Sequence, residues 1–365
     1  MGIIEQYGHG LVVPKDELIS LERTRLYGQG KEVDRIPCSL DGGETMSYLI
    51  GASIKDYYFN PEIMCAVEEY VHSTFGSDGA GISTSLRGMA EAMGAEIRYS
   101  DTRTAVVMKP ALTINEVDRA KRVDIDKDGR LPIILKALEL TKKKLGDQVS
   151  VSASVTGPFT IAAMALGTEN LMMTMVKKPD KVHQLLETIV ENNNKLIRRI
   201  VDMGIGIGFP DPVSSTSLIS VEQYRTFALP YLQKNIDFIK SLGGGCGLHI
   251  CGTSRKLWPD LAKTGIGAFS LDNVESLTEA KEVLGPYMEI DGNVPPVDVM
   301  CLGTPQDVLR AARDCIRQAW DSPKGFCLTS GCQMAPHTPE ENMMALMDAA
   351  RIFGRYPLQD HLWVD

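Results

Sequence analysis

From about residue 36 the chain alternates short runs of apolar and small residues with longer stretches in which apolar residues recur every three or four positions. Runs of the first kind predict strands and stretches of the second kind predict helices packed over them, and their repeated alternation builds a parallel sheet with crossover helices. The strand-like runs are Ile36–Asp41, Gly79–Ser83, Val149–Val155, Ile205–Asp211, Cys246–Cys251, Gly267–Leu271, Met288–Asp291 and Gly325–Thr329, each followed by a helical segment. Eight such units predict a (β/α)8 TIM barrel. The best-marked helix carries Val182, Leu185, Leu186, Ile189, Val190, Leu196, Ile197, Ile200 and Val201 on one face. Ser220 with Gln223, and Thr338 with Pro339 and Glu341, predict two helix starts, and Gly243 and Gly354 close the same two helices. Residues 84–148 form an insertion in the second βα unit, with a β-pair at Glu96–Ser100 and Ala105–Lys109, placed over the barrel mouth. The organisation expected is an N-terminal helical extension over 1–35, the barrel over 36–356 and a C-terminal tail over 357–365.

Composition narrows the class. With 365 residues, 44% apolar and 23% charged, the chain can bury a full core, and its scattered Gly and Pro exclude collagen-like order. The first thirty residues mix charges throughout and no run of eighteen apolar residues follows, so neither a signal peptide nor a membrane span is expected, and the reading is cytoplasmic. A net charge of −9 without clustered Lys or Arg argues against nucleic acid as a partner. Eight cysteines are too sparse for a disulfide scaffold, which leaves thiols available as ligands.

In a TIM barrel the chemistry gathers at the C-terminal ends of the strands. The polar residues there are Asp41, Ser83 and Thr84, Thr156, Asp211, His249 and Cys251, Asp272 and Asn273, Asp291 and Asn293, and Ser330 and Cys332. His249 and Cys251, two apart at the end of the fifth strand, point to one face and can reach one ion. A catalytic zinc needs a third ligand and an open fourth position. Cys332, preceded by the small Gly331, supplies the third ligand from the end of the eighth strand, while Cys327 is expected to pack as a core residue. Cys38, Cys65, Cys246, Cys301 and Cys315 are read as structural.

Three stretches carry a resemblance to a known family: Gly208-Phe209-Pro210-Asp211-Pro212-Val213-Ser214-Ser215 leading into Ser220 and Tyr224; Leu248-His249-Ile250-Cys251-Gly252; and Ser330-Gly331-Cys332 followed by Pro336, Thr338-Pro339-Glu340 and Asn342. Over roughly residues 30 to 356 the chain resembles the uroporphyrinogen decarboxylase superfamily and, within it, the zinc-dependent corrinoid methyltransferases. The resemblance implies that His249, Cys251 and Cys332 hold Zn2+. It implies further that the methyl group moves between a small-molecule donor or acceptor and the cobalt of a corrinoid (methylcobalamin). Asp272 stands where members of that branch can place a carboxylate on zinc, as Asp rather than the longer Glu. The arginine-rich stretch of the decarboxylases is replaced by Leu40-Asp41-Gly42-Gly43-Glu44-Thr45-Met46, so a polycarboxylate has nothing to pair with there and decarboxylation is disfavoured.

No Asp-x-His-x-x-Gly cobalamin signature occurs in the chain, so a separate corrinoid-binding protein is the expected partner; a homodimer is compatible with the sequence. Two chemistries suit such a zinc: activation of a thiol acceptor of the coenzyme M type, or Lewis-acid assistance to the leaving oxygen of a methyl ether. The strand-end residues are acidic or neutral, and only Arg87 lies nearby to meet a sulfonate. On that ground O-demethylation of methoxylated aromatics is favoured and thiol methylation is the alternative. Asp272, Asp211 and Asn293 are assigned to catalysis. Asp41, Ser83, Thr156, Asn273, Asp291 and Ser330 are assigned to the substrate.

Overall fold

The computed structural model describes residues 12–358. Among the described residues seven strands form one parallel sheet: β1 (Gly79–Ser83), β4 (Ser150–Ser154), β5 (Gly206–Pro210), β6 (Cys246–Ile250), β7 (Ala268–Leu271), β8 (Glu289–Val294) and β9 (Phe326–Ser330), hydrogen-bonded in that order. β2 (Glu96–Arg98) and β3 (Val106–Lys109) form a separate antiparallel pair inside the insertion. The architecture is the TIM barrel that the alternation predicts.

The eighth strand position is filled differently. Ile36–Asp41 makes only one isolated bridge, Cys38 to Leu328, rather than a strand. Leu328 N–H donates to Pro37 O at 2.9 Å and Ser39 N–H to Leu328 O at 3.0 Å, which ties the segment to β9. Towards β1 the ladder fails, because side chains take the backbone donors: Cys38 N–H goes to Asp78 Oδ2 and Leu40 N–H to Ser77 Oγ. The barrel therefore closes through an extended segment stitched by side chains.

Along every strand of the sheet the apolar residues face the helices. Ile82, Val151, Ala153, Ile207, Phe209, Leu248, Ile250, Phe269, Leu271, Ile290 and Leu328 are all buried there. The opposite positions are small or polar: Gly79, Gly81 and Ser83, then Ser150, Ser152 and Ser154, then Gly206 and Gly208, Gly247, Ala268 and Ser270. Bulky branched side chains usually fill a barrel interior. Here the core lies almost wholly between strands and helices, and Ser152, mid-strand, stays exposed on the inward face.

The helix Pro179–Asp202 buries Val182, Leu185, Leu186, Ile189, Val190, Leu196, Ile197 and Ile200. Ser220 and Gln223 form the expected capping box, and Gly243, with φ +76°, follows the helix Leu229–Ser241 in the left-handed conformation that Gly adopts without strain. Thr338 is a correction: its hydroxyl donates to Ala335 O, and the helix Glu340–Phe353 starts after Pro339 without a side-chain cap. Gly354 ends that helix with φ −96°, an ordinary conformation. Within the N-terminal extension the described helix is Ser20–Gly28; residues 1–11 and 359–365, with most of the C-terminal tail, lie outside the described residues.

Beneath the barrel Arg23 and Arg35, both buried, converge on Asp78 at 2.6 Å each; Arg23 also pairs with Asp34 at 2.7 Å, and Arg35 with Asp16 at 2.6 Å. Arg351 of the last helix joins Asp16 at 3.2 Å, so one ionic cluster ties the extension, the start of β1 and the C-terminal helix together.

Candidate metal centre

The parallel register places His249 of β6 beside Ser270 of β7, both on the inward face. His249 Nδ1 lies 3.2 Å from Ser270 O and 3.0 Å from Ser270 Oγ. A proton on Nδ1, donated to that carbonyl, leaves the lone pair of Nε2 free as a ligand. Nε2 lies 3.2 Å from Cys251 Sγ, and Cys251 Sγ lies 3.6 Å from Cys332 Sγ. The three donor atoms all fall within 4.8 Å of one another.

Cys332 reaches this point because of the turn after β9. A Cβ at Gly331 would sit 2.5 Å from Asn273 N, so only Gly lets the turn pass so close to the loop after β7. Ser330 Oγ donates to Cys332 O at 2.7 Å and holds the turn. Cys327 lies lower on β9, five residues before Cys332, facing inward rather than into the core, with its Sγ 3.8 Å from Ser39 Oγ and outside the donor cluster.

Charge in the cluster is shared unequally. The hydrogen bond from Cys251 and the charge of His249 hold the Cys332 thiol down at about 4, against the opposing effect of burial. Cys251 is correspondingly raised, by that same hydrogen bond and by burial. Burial opposes charge on His249, yet the Cys332 thiolate outweighs it and the imidazole is raised. One imidazole nitrogen and two sulfurs, with the negative charge drawn towards Cys332, match the preference of zinc for a tetrahedral N/S shell with three protein ligands.

The other residues assigned from sequence fall into distinct settings. Asp41 opens to the barrel mouth while walled in by protein; burial and the Cys332 thiolate push its carboxyl up to about 6 against the pull of His249. Asp272 commits both oxygens to backbone, Oδ2 to Gly252 N–H at 2.7 Å and Oδ1 to Val274 N–H at 3.1 Å, and it lies outside the donor cluster. Asn293 donates to Asp272 O and Glu275 O, clamping the loop after β7. Asp211 turns away to the helix Pro158–Leu166, where its Oδ1 accepts from Thr160 N–H at 3.0 Å and Thr160 Oγ1 at 2.6 Å. Burial raises Asp211 to about 6.

Thr156 Oγ1 donates to Ser85 O, and Ser83 Oγ accepts from Ser85 N–H, so both shape the turn after β1. Asn273 is exposed beside the Gly331 turn. Asp291 lies on the inward face of β8 and couples to Glu289 two residues below; burial raises the two to about 6 and about 8. Ser270 is absent from the sequence assignments. Only the strand register, which joins it to His249, marks it, and an isolated Ala-Phe-Ser-Leu run carries no such signal.

The uroporphyrinogen decarboxylase (URO-D) family matches residues 20–353. The chain belongs to that family. A methylated-thiol–coenzyme M methyltransferase of Methanosarcina mazei is 28% identical over 326 residues, covering 88% of this chain and 86% of the relative. A methylcobamide:CoM methyltransferase of Methanosarcina barkeri is 28% identical over 335 residues, covering 90% of this chain and 96% of the relative. Among solved structures, a methyltransferase from Methanosarcina mazei superposes with a TM-score of 0.82 at 27% identity, over 95% of this chain and all of that one. Within the family the chain falls in the methyltransferase branch, as its His-x-Cys and Gly-Cys motifs imply.

Proposed function

We propose that this enzyme moves a methyl group from the cobalt of a corrinoid, carried by a separate protein, to a thiol, with His249, Cys251 and Cys332 holding zinc. The observation that carries the reading is the convergence of one imidazole nitrogen and two sulfurs within 4.8 Å at the mouth of the barrel. Zinc held by these residues would supply Lewis-acid chemistry that lowers the pKa of an acceptor thiol. Ser270 fixes the ring of His249, and Asp272 and Ser330 brace the two turns that carry Cys251 and Cys332. Asp41, facing the ligands, takes at its carboxylate the proton that the thiol gives up. The similar Methanosarcina proteins are methyltransferases of thiols and CoM, which favours the thiol over the methyl ether preferred from sequence.

Absorbance of the corrinoid tests the proposal. Purified protein with methyl-cob(III)alamin should generate cob(I)alamin when a small thiol is supplied, with about one zinc bound per chain. Methylation of cob(I)alamin by a methoxylated aromatic, with no reaction of any thiol, would overturn it in favour of O-demethylation.

A further inference from the structure

The lumen of the barrel is open where branched side chains ordinarily fill it. A Cβ built on Gly208 would meet nothing within 4 Å, and one on Gly206 would meet only Val151 O, at 3.9 Å. Gly206, Ser150 and Ser152 stay exposed on the inward face, so the opening continues to the N-terminal ends of β4 and β5. Across the lumen the wall is acidic. Glu289 and Asp291 of β8, two apart on one face, are in hydrogen-bonding contact with each other. Asp291 shares a register row with Ser270 and Cys327, and Ser270 shares one with His249. The pair therefore begins at the level of the metal centre and descends from it.

Two oxygens along this wall are shielded and have no hydrogen-bond partner among the described residues: Asp291 Oδ1, and Oγ1 of the buried Thr329, which stands above Cys327 on the same face of β9. Both call for a proton or a water, and the open lumen has room for either. Burial raises both carboxyls of the pair, and the charge of Asp291 raises Glu289 further, so near neutral pH the two hold a proton between them. No Lys or Arg is among the charges acting on the pair. The titratable groups that face it are Cys327 of β9, the Tyr27 hydroxyl from the helix Ser20–Gly28 and, farther off, His249 of β6. Burial, and then the two acids, hold Cys327 well above the ordinary thiol range, and burial raises Tyr27, which donates to Phe326 O. With both of these neutral, the pair is the group of the lower lumen that exchanges protons near pH 7.

A cobalt that hands its methyl group to a thiol beside His249, Cys251 and Cys332 must come in over the mouth, and its corrin ring then covers that exit. We infer that Glu289 and Asp291 relay the proton given up by the thiol down the lumen, to solvent at the N-terminal ends of the strands. The S–H bond breaks with its electron pair left on sulfur, and an O–H bond forms at Asp41. Water carries the proton on to Asp291, while the proton already held by the pair leaves from Glu289 to water below, so the pair ends with the charge it began with. The inference rests on the thiol reading above, and its test separates the two.

Infrared absorption of protonated carboxyl groups, taken at pH 7 on the zinc-loaded protein without substrate, tests the shared proton. Wild type should show one protonated carboxyl that Glu289→Gln lacks; equal absorption in the two overturns the relay. Turnover with methyl-cob(III)alamin and 2-mercaptoethanol tests the route. Glu289→Gln and Asp291→Asn should each lower kcat by about 10-fold, less than the loss of a direct general base costs, with KM for the thiol unchanged. Glu289→Asp, which keeps a titratable carboxyl, should recover part of the loss. Gly206→Leu, which plugs the lumen well below the row of His249 and leaves the pair intact, should lower kcat in the same way. If that variant does not fold, Ser152→Leu plugs the same row from β4. Unchanged kcat in the acid variants, or KM rising as kcat falls, overturns the relay, and unchanged kcat in the plugged variant overturns the route through the lumen. Should no thiol take the methyl group from cobalt in wild type, the thiol reading falls and the relay with it, while the infrared comparison still decides the shared proton.

Discussion

Ser270 acts on the metal centre without being a ligand. Its carbonyl and hydroxyl fix the ring of His249, and partners of this kind typically govern 10- to 100-fold in metal affinity. The carbonyl survives substitution, so Ser270→Ala should weaken zinc binding by about 10-fold, at the low end of that range, as read by competition with a chromophoric chelator. Cys332→Ala should lose zinc, whereas Cys327→Ala, whose sulfur lies with Ser39, should keep it. Loss of zinc from the Cys327 variant alone would move the third ligand down the strand.

The incomplete eighth strand has a consequence for β1. Because Ile36–Asp41 forms no ladder with it, the N–H of Gly81 is left facing the helix Pro61–Phe75, and Glu68 of that helix accepts it at 2.8 Å. Burial raises the Glu68 carboxyl to about 8, against the opposing effect of that hydrogen bond, so in the folded protein it stays protonated where the unfolded chain has ionised. Its contribution is fully present below about pH 4.5 and is lost as pH rises through 8. Glu68→Gln accepts the same hydrogen bond and cannot ionise. The variant should therefore gain on wild type between pH 5 and 9, by on the order of 2 kcal/mol, in denaturant midpoints taken across that range. Parallel pH profiles would show that Glu68 is already relieved by water.

At the scale of the molecule, the ionic cluster beneath the barrel does what a packed interior does elsewhere. With Gly and Ser on the inward strand positions, little side-chain volume holds the strands from inside, and the extension, β1 and the last helix are joined instead through Asp16, Arg23, Asp34, Arg35, Asp78 and Arg351. Asp78→Ala strips a carboxylate from two buried guanidinium groups and from Cys38 N–H, and should cost about 3–5 kcal/mol, measured by equilibrium unfolding. The site at the opposite end is built on different strand ends, so the surviving folded fraction should bind zinc as wild type does. A variant that unfolds normally would show that the cluster is already solvated.

What the sequence determined by itself is what depends on local periodicity and chain neighbours. Alternating runs set the strands, the spacing of Val182 to Ile200 set the longest helix, and His249 and Cys251 share a face because strand residues two apart must. Gly331 before Cys332 foretold a close turn, and the clash a Cβ would meet there shows why. Tertiary structure decided the rest, because partners far apart in the chain set it. Ile36–Asp41 reads as a strand, yet Ser77 and Asp78 took two of its donors. Asp211 ends a strand as a site residue would, but the helix Pro158–Leu166 begins at Gly157, which has no side chain to cap it, and the carboxylate is drawn there instead. Ser270 gains its meaning only through what surrounds it, by parallel register with His249. Hydrophobic period is written in neighbouring residues, whereas the pairing of buried polar groups is settled only when strands and loops from distant parts of the chain close on one another.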